Sequence, residues 1–262
     1  MLADYHVHSY FSEDTDCPME KEIQKAIESG MDELCFTEHI DYDIPTVIQC
    51  DYESYFEEFF RMKEKYKKKI TLKAGIEFGV QIHTIPQYEE AFEKYPFDFV
   101  ILSFHQVDNK EFWRQEYQEG KTQEEYNRGY YKEILNVVKR YKNYSVIGHL
   151  DVLKRYDLNG EYPFEKIKDL IEKIFEIVIA DGKGIEINTS SFAYKLKSLM
   201  PSREILELYY KMGGEIITIG SDAHNEERIC DHIPEMQNLL KEIGFKGIYT
   251  FDQMKPIFHS FS

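Results

Sequence analysis

No apolar run in the chain approaches the ~18 residues of a membrane-spanning helix, so no membrane partner is expected. The amino terminus carries Asp4 and His6 where a secretory leader would place a basic segment and an apolar stretch, and the expectation is a soluble, cytoplasmic protein. The four cysteines, Cys17, Cys35, Cys50 and Cys230, include no CxxC pair. That spacing argues against a disulfide framework or a zinc ribbon and fits free thiols in a reducing compartment. Positive charge is scarce: 32 Lys and Arg face 48 Asp and Glu, for a net charge of −16. Such a balance opposes a surface built to neutralise nucleic-acid phosphates, although it leaves room for a local anion site. There is no GxSxG, hence no sign of that serine nucleophile. Long Pro/Gly/Ser linkers, low-complexity tracts and short repeats are also missing, and residues 1–262 are expected to form a single domain.

Apolar residues make up 42% of the chain and aromatics 15%, all but one of the latter being Tyr or Phe, which supplies ample material for a large core. Apolar, β-rich segments alternate with stretches of helical period: ADYHVH, ELCFTEH, LKAGIEFGV, FDFVILSFH, YSVIGHL, GIEINTS and IITIGSDAH read as strands. Helices are expected over 51–69, 122–142, 163–181 and 202–212; in the first of these Tyr52, Phe56, Phe59 and Tyr66 recur at helical spacing. Seven strands with intervening helices suggest a parallel α/β barrel. The lysines of KEKYKKKI fall in the last turns of the first helix, where cations suit the helix dipole, and read as a solvated helix end.

The histidines cluster at strand ends. His6 and His8 close the first strand, and His39, His105, His149 and His224 close four others. Glu77 lies late in LKAGIEFGV, and Asp222 stands two residues before His224. In a regular strand Asp4, His6 and His8 share one face while Tyr5 and Val7 share the other. In a closed parallel barrel the carboxyl ends of the strands form one rim, where such folds place their chemistry. Imidazoles mixed with carboxylates, without thiolates, suit Zn, Mn or Fe(II) better than Ca or Mg. These residues therefore point to a multinuclear metal site. His83, His232 and His259 lack this context and read as loop or surface histidines.

DYHVHSYFSEDTD, FTEH, GIEFG, SFH, GHLD and GSDAH, in this order, resemble the PHP (polymerase and histidinol phosphatase) metallohydrolases. GHLDVLKRY and EINTSS are similar to their histidinol-phosphate phosphatase branch. The resemblance covers essentially the whole chain. It implies a distorted (β/α)7 barrel with three divalent metal ions at the carboxyl rim. Carried over by position, His6, His8, Glu77 and Asp222 would hold the first ion, and Glu77 would bridge to a second held by His105 and His149. Asp14, His39 and His224 would hold the third. Spacing alone does not separate Asp14 from Glu13 and Asp16 in SEDTD. The implied reaction is hydrolysis of a small phosphate monoester, L-histidinol phosphate foremost, by a metal-bridging hydroxide, with catalytic roles for Glu77, Asp222 and His224. Arg155 is the leading phosphate-binding residue, with Asn188, Ser190, Lys195 and Arg228 as further substrate-binding candidates. One departure concerns the substrate: Ala193 stands where the branch usually has an Arg after the NTS stretch. Competing readings are a PHP phosphatase for another small phosphate ester, a PHP nuclease, an amidohydrolase and a non-catalytic metal-stabilised binding module. The −16 charge disfavours the nuclease.

Overall fold

Seven short apolar segments pair side by side as parallel strands in the computed structural model, which describes residues 1–45 and 47–261. In chain order the strands are β1 (Ala3–Val7), β2 (Glu33–Ile40), β3 (Thr71–Gly79) and β4 (Phe99–Ser103), a small hairpin of β5 (Gln106–Val107) and β6 (Lys110–Glu111), then β7 (Val146–Ile147), β8 (Gly184–Asn188) and β9 (Ile217–Gly220). The sheet order β1-β2-β3-β4-β7-β8-β9 follows the chain. The backbone beyond β9 returns to β1, where His8 N donates to Ala223 O at 2.9 Å and Asp222 N to His6 O at 2.8 Å. The result is a nearly closed (β/α)7 barrel.

The connecting helices are α1 (Met19–Glu28), α2 (Tyr52–Tyr66), α3 (Ile85–Lys94), α4 (Gln123–Arg140), α5 (Lys168–Ala180), the short α6 (Ser190–Ala193), α7 (Arg203–Lys211) and α8 (Ile233–Ile243). Their starts are chemically marked. Asp51 caps α2 by accepting from Ser54 N at 2.7 Å, and Thr122 with Glu125 forms a reciprocal capping box on α4. Tyr55, Phe59 and Met62 of α2, with Ile171, Ile174 and Phe175 of α5, bury their apolar faces in the main core. Lys63 and Lys65 do occupy the last turn of α2, where Lys65 pairs with Glu20.

Two features depart from the regular pattern. β1 carries one extra residue relative to β2 between Asp4 and Val7, which breaks the two-residue alternation. Tyr5, expected on the face opposite His6, therefore also packs in the barrel interior, in a cluster with Phe99, Ile101 and Val146, while His6 lies above it beside Glu77 and Glu186. Several strands also end early, β7 after only two residues, so that His8, His105, His149, Asp222 and His224 stand just beyond their strands. No sequence expectation covers the C-terminal hairpin of β10 (Gly247–Asp252) and β11 (Lys255–Ser260), which plugs the amino-terminal end of the barrel through Phe251, 5.0 Å from the Phe99 ring.

Candidate metal centre

Glu77 leaves β3 into the barrel interior and is fully buried. Five histidines surround it. Its Oε2 lies 3.2 Å from His6 Nε2, 3.6 Å from His8 Nε2 and 2.8 Å from His39 Nδ1, and its Oε1 lies 3.3 Å from His105 Nε2 and 2.7 Å from His149 Nε2. Ser103 donates to Oε1 at 2.6 Å. Asp222 Oδ1 approaches His6, His8 and His224 at 3.8, 3.4 and 3.7 Å. Asp14 Oδ2 reaches His224 Nε2 at 2.9 Å and His39 Nε2 at 3.6 Å. Glu13 instead accepts from Ile48 N, and Asp16 points to solvent, so Asp14 is the carboxylate of SEDTD nearest the histidines. All nine candidate ligands converge on one rim. His83 bonds to Asn109, His232 stacks on Phe192 and His259 bonds to Thr250, all outside the cluster.

The imidazoles are oriented from behind. His6 Nδ1 donates to Glu186 Oε1 at 2.6 Å, His105 Nδ1 to Asp41 Oδ1 at 3.0 Å, and His8 Nδ1 to the Ser12 hydroxyl at 3.3 Å. These bonds fix the tautomer and leave each Nε2 with its lone pair toward the rim. Glu38, from β2, anchors the loop that carries Ser12 by accepting from the Ser9 and Ser12 hydroxyls, each at 2.6 Å. Glu38, Asp41 and Glu186 were not among the sequence candidates.

The donor set fits divalent cations. His6 Nε2, His8 Nε2, His39 Nδ1 and Glu77 Oε2 are buried and form no hydrogen bond, an arrangement costly for polar atoms unless a cation satisfies them. Four overlapping triads bring their ligand atoms within 4.8 Å of one another: His8, His39 and His224; His6, His8 and Asp222; His6, Glu77 and His149; His39, Glu77 and His105. Burial pushes Glu77 and Asp222 upward, but the neighbouring imidazoles outweigh it and hold both carboxyls well below the usual range. For His8 burial dominates, reinforced by His39 and His224, and holds the imidazole well below its ordinary value. Burial pushes His6, His39, His105 and His224 downward too, but the carboxylates beside them outweigh it and hold all four above the ordinary imidazole value, so metal ligation at this rim would release protons.

A cavity of about 300 Å³ opens over the rim, lined by Asp14, His39, His105, His149, Asp222 and His224 on its floor and by Trp113, Arg155, Tyr156 and Tyr194 on its walls. Arg155, on the helical turn Val152–Tyr156 after β7, donates from Nη2 to Ser190 Oγ at 2.6 Å and to Asp222 Oδ2 at 3.4 Å. Asn188 sits beneath this pair and donates to Asp222 Oδ2 at 3.3 Å. Arg228 is turned to other work: its Nη2 donates to Ser221 O and its Nε to Asp231. Neither Arg228 nor Lys195 is among the cavity-lining residues.

A family model described as PHP domain matches residues 4–190. The histidinol-phosphatase of Lactococcus lactis subsp. lactis is 34% identical over 96% of this chain and 95% of its own length. A probable histidinol-phosphatase of Thermotoga maritima is 30% identical over 94% of each chain. The crystal structure of the Lactococcus lactis histidinol phosphate phosphatase, complexed with zinc, L-histidinol and phosphate, superposes with a TM-score of 0.88 at 32% identity, over 97% of this chain and 98% of that one.

Proposed function

Because the chain belongs to the PHP domain family, we propose that it is a metal-dependent phosphomonoesterase whose substrate is L-histidinol phosphate, yielding L-histidinol and phosphate. The observation that carries this reading is the buried Glu77 carboxylate ringed by five imidazole nitrogens within 3.6 Å, directly beneath a cavity walled by Arg155. By family resemblance, three ions of Zn, Mn or Fe would be held here, one by His6, His8, Glu77 and Asp222, one by Glu77, His105 and His149, and one by Asp14, His39 and His224. When bound, such ions polarise a phosphoryl group and acidify water toward neutrality.

The chain's own residues divide the remaining work. Glu77 offers one oxygen to each side of the rim and so ties the first two ligand sets together. Asp222 keeps Oδ1 toward the histidines while Oδ2 takes hydrogen bonds from Arg155 and Asn188, linking the rim to the cavity wall. His224 and Asp14 form the more exposed edge of the rim on the cavity floor. Arg155 holds a guanidinium where a phosphoryl group would meet it, with Nε buried and lacking an acceptor. Glu13, Asp14 and Asp41 add acidic groups to the cavity lining, and Trp113 and Tyr156 add ring surface. That environment suits a cationic, ring-bearing alcohol as leaving group. Residues 1–262 are read as one domain, since the C-terminal hairpin shares the interior cluster of Tyr5 and Phe99. No helix among the described residues is long and apolar enough to cross a membrane.

The test is a panel of L-histidinol phosphate, other phosphomonoesters, a phosphodiester and an amide against metal-replete enzyme. The reading expects the highest kcat/KM for L-histidinol phosphate and loss of turnover on chelation. A preference for the diester or the amide would overturn it.

A further inference from the structure

α6 is a single turn that carries two aromatic rings to different neighbours. Phe192 stacks on His232 with centroids 3.9 Å apart, and the adjacent Thr189 hydroxyl donates to Asp231 O at 2.8 Å, so the turn is tied to the segment before α8. Tyr194, the residue that caps its C-terminal end, lies over Arg155, with the guanidinium carbon 3.9 Å from the ring centroid. Tyr194 N donates to Ser190 O at 2.9 Å, so the residue that supplies the ring is also bonded to the residue that receives Arg155. Ala193 and Lys195, on either side, are exposed and do not line the cavity; Tyr194 does.

The geometry separates the two ways in which a guanidinium binds. A stacked ring occupies the planar face, while hydrogen-bond acceptors use the in-plane edge. Ser190 and Asp222 take one nitrogen of that edge, Nη2, and Nε remains without a protein acceptor. The Arg155 side chain is only 9% exposed, whereas Tyr194 is 54% exposed. The ring therefore works as a cover: it removes water from the face of a cation that lines the cavity. Charge-assisted bonds to an anion strengthen when competing water is excluded.

We propose that Tyr194 is a positioning residue for the phosphoryl group, acting through Arg155 by stacking rather than through its own hydroxyl. The proposal rests on the phosphomonoesterase reading, and it supplies a role in anion recognition to a residue beside Ala193 rather than to a second cation. It also makes phosphate affinity depend on the ring at a position where the chemistry of the rim is untouched.

The experiment uses metal-replete enzyme and two probes, inorganic phosphate by calorimetry and L-histidinol phosphate by steady-state kinetics. Tyr194→Ala is expected to weaken phosphate binding about 3- to 30-fold, the range of a partly desolvated cation–π contact, and to raise KM by a similar factor with kcat within about twofold. Tyr194→Phe should restore both, and Tyr194→Leu, which covers without a π face, should not. In an Arg155→Ala background, Tyr194→Ala should have no further effect on either probe. Additive losses in the double variant, failure of Phe to rescue, or unchanged phosphate affinity in Tyr194→Ala would overturn the proposal. Phosphate binding that follows the predicted pattern in an enzyme that turns over no phosphomonoester would overturn the functional reading and leave the role of Tyr194 standing.

Discussion

Glu186 acts on the rim from behind, and both of its oxygens are committed. Oε1 accepts from His6 Nδ1, while Oε2 accepts from His149 N at 2.9 Å and from Asn188 at 3.3 Å. An amide has only one acceptor oxygen, so Glu186→Gln sets an NH2 group against one of these donors and weakens the hold on His6 or on the loop carrying His149. The expected result is a ~10- to 100-fold loss of metal affinity, measured by competition with a chelator; native affinity would show that His6 needs no such support. Eight of the nine ligand candidates were legible because histidines and acids at the ends of apolar strands are chemically out of place. Glu186 was not, since a single acid inside GIEINTS reads equally well as a solvated strand residue, and Asp14 was separable from Glu13 only by resemblance. Asp41 shows the same limit: its role is visible only once β2 and β4 bring it 3.0 Å from His105.

Among the elements, β1 and β9 set how closely the rim can assemble. A Cβ at Gly220 would lie 2.2 Å from His6 Cβ and 2.4 Å from Glu186 Oε1, so only glycine lets the end of β9 pass this pair. Gly220→Ala must therefore displace His6 or Glu186. It is expected to cost ~1–3 kcal/mol in denaturant unfolding and to lower metal content at the same time. Full metal occupancy with unchanged stability would mean that the strands move apart freely. The parallel arrangement itself was readable from apolar runs and helical periods, because barrel strands buried on both faces need little alternation. The extra residue in β1 was not readable, since its register depends on pairing with β2 and not on its own composition. The C-terminal hairpin was missed for a related reason: Phe251 gains meaning only against Tyr5 and Phe99, far away in sequence.

At the scale of the molecule, an acidic chain folds around carboxylates that it buries, and not all of them face the rim. Glu22, on α1, is fully buried, and neither of its oxygens has a hydrogen-bond partner among the described residues. Burial, reinforced by the charge of Glu38, pushes its carboxyl up to about 10. The sign follows from linkage: the unfolded chain releases this proton near pH 4.5 while the native state keeps it, so the contribution to stability is full below that value and is lost as pH rises toward about 10. Glu22→Gln should remove the loss. Its melting temperature at pH 8 is expected to exceed that of the wild type by ~2–4 °C or more, with the difference shrinking near pH 5; a lower melting temperature at both would contradict this.

Anomalous scattering at the metal absorption edges, from crystals of active, metal-replete enzyme, tests the central claim most directly. The account predicts three peaks on one rim, grouped about Glu77: one with His6, His8 and Asp222, one with His105 and His149, and one with Asp14, His39 and His224. A single peak in active enzyme, or peaks away from Glu77, would contradict it.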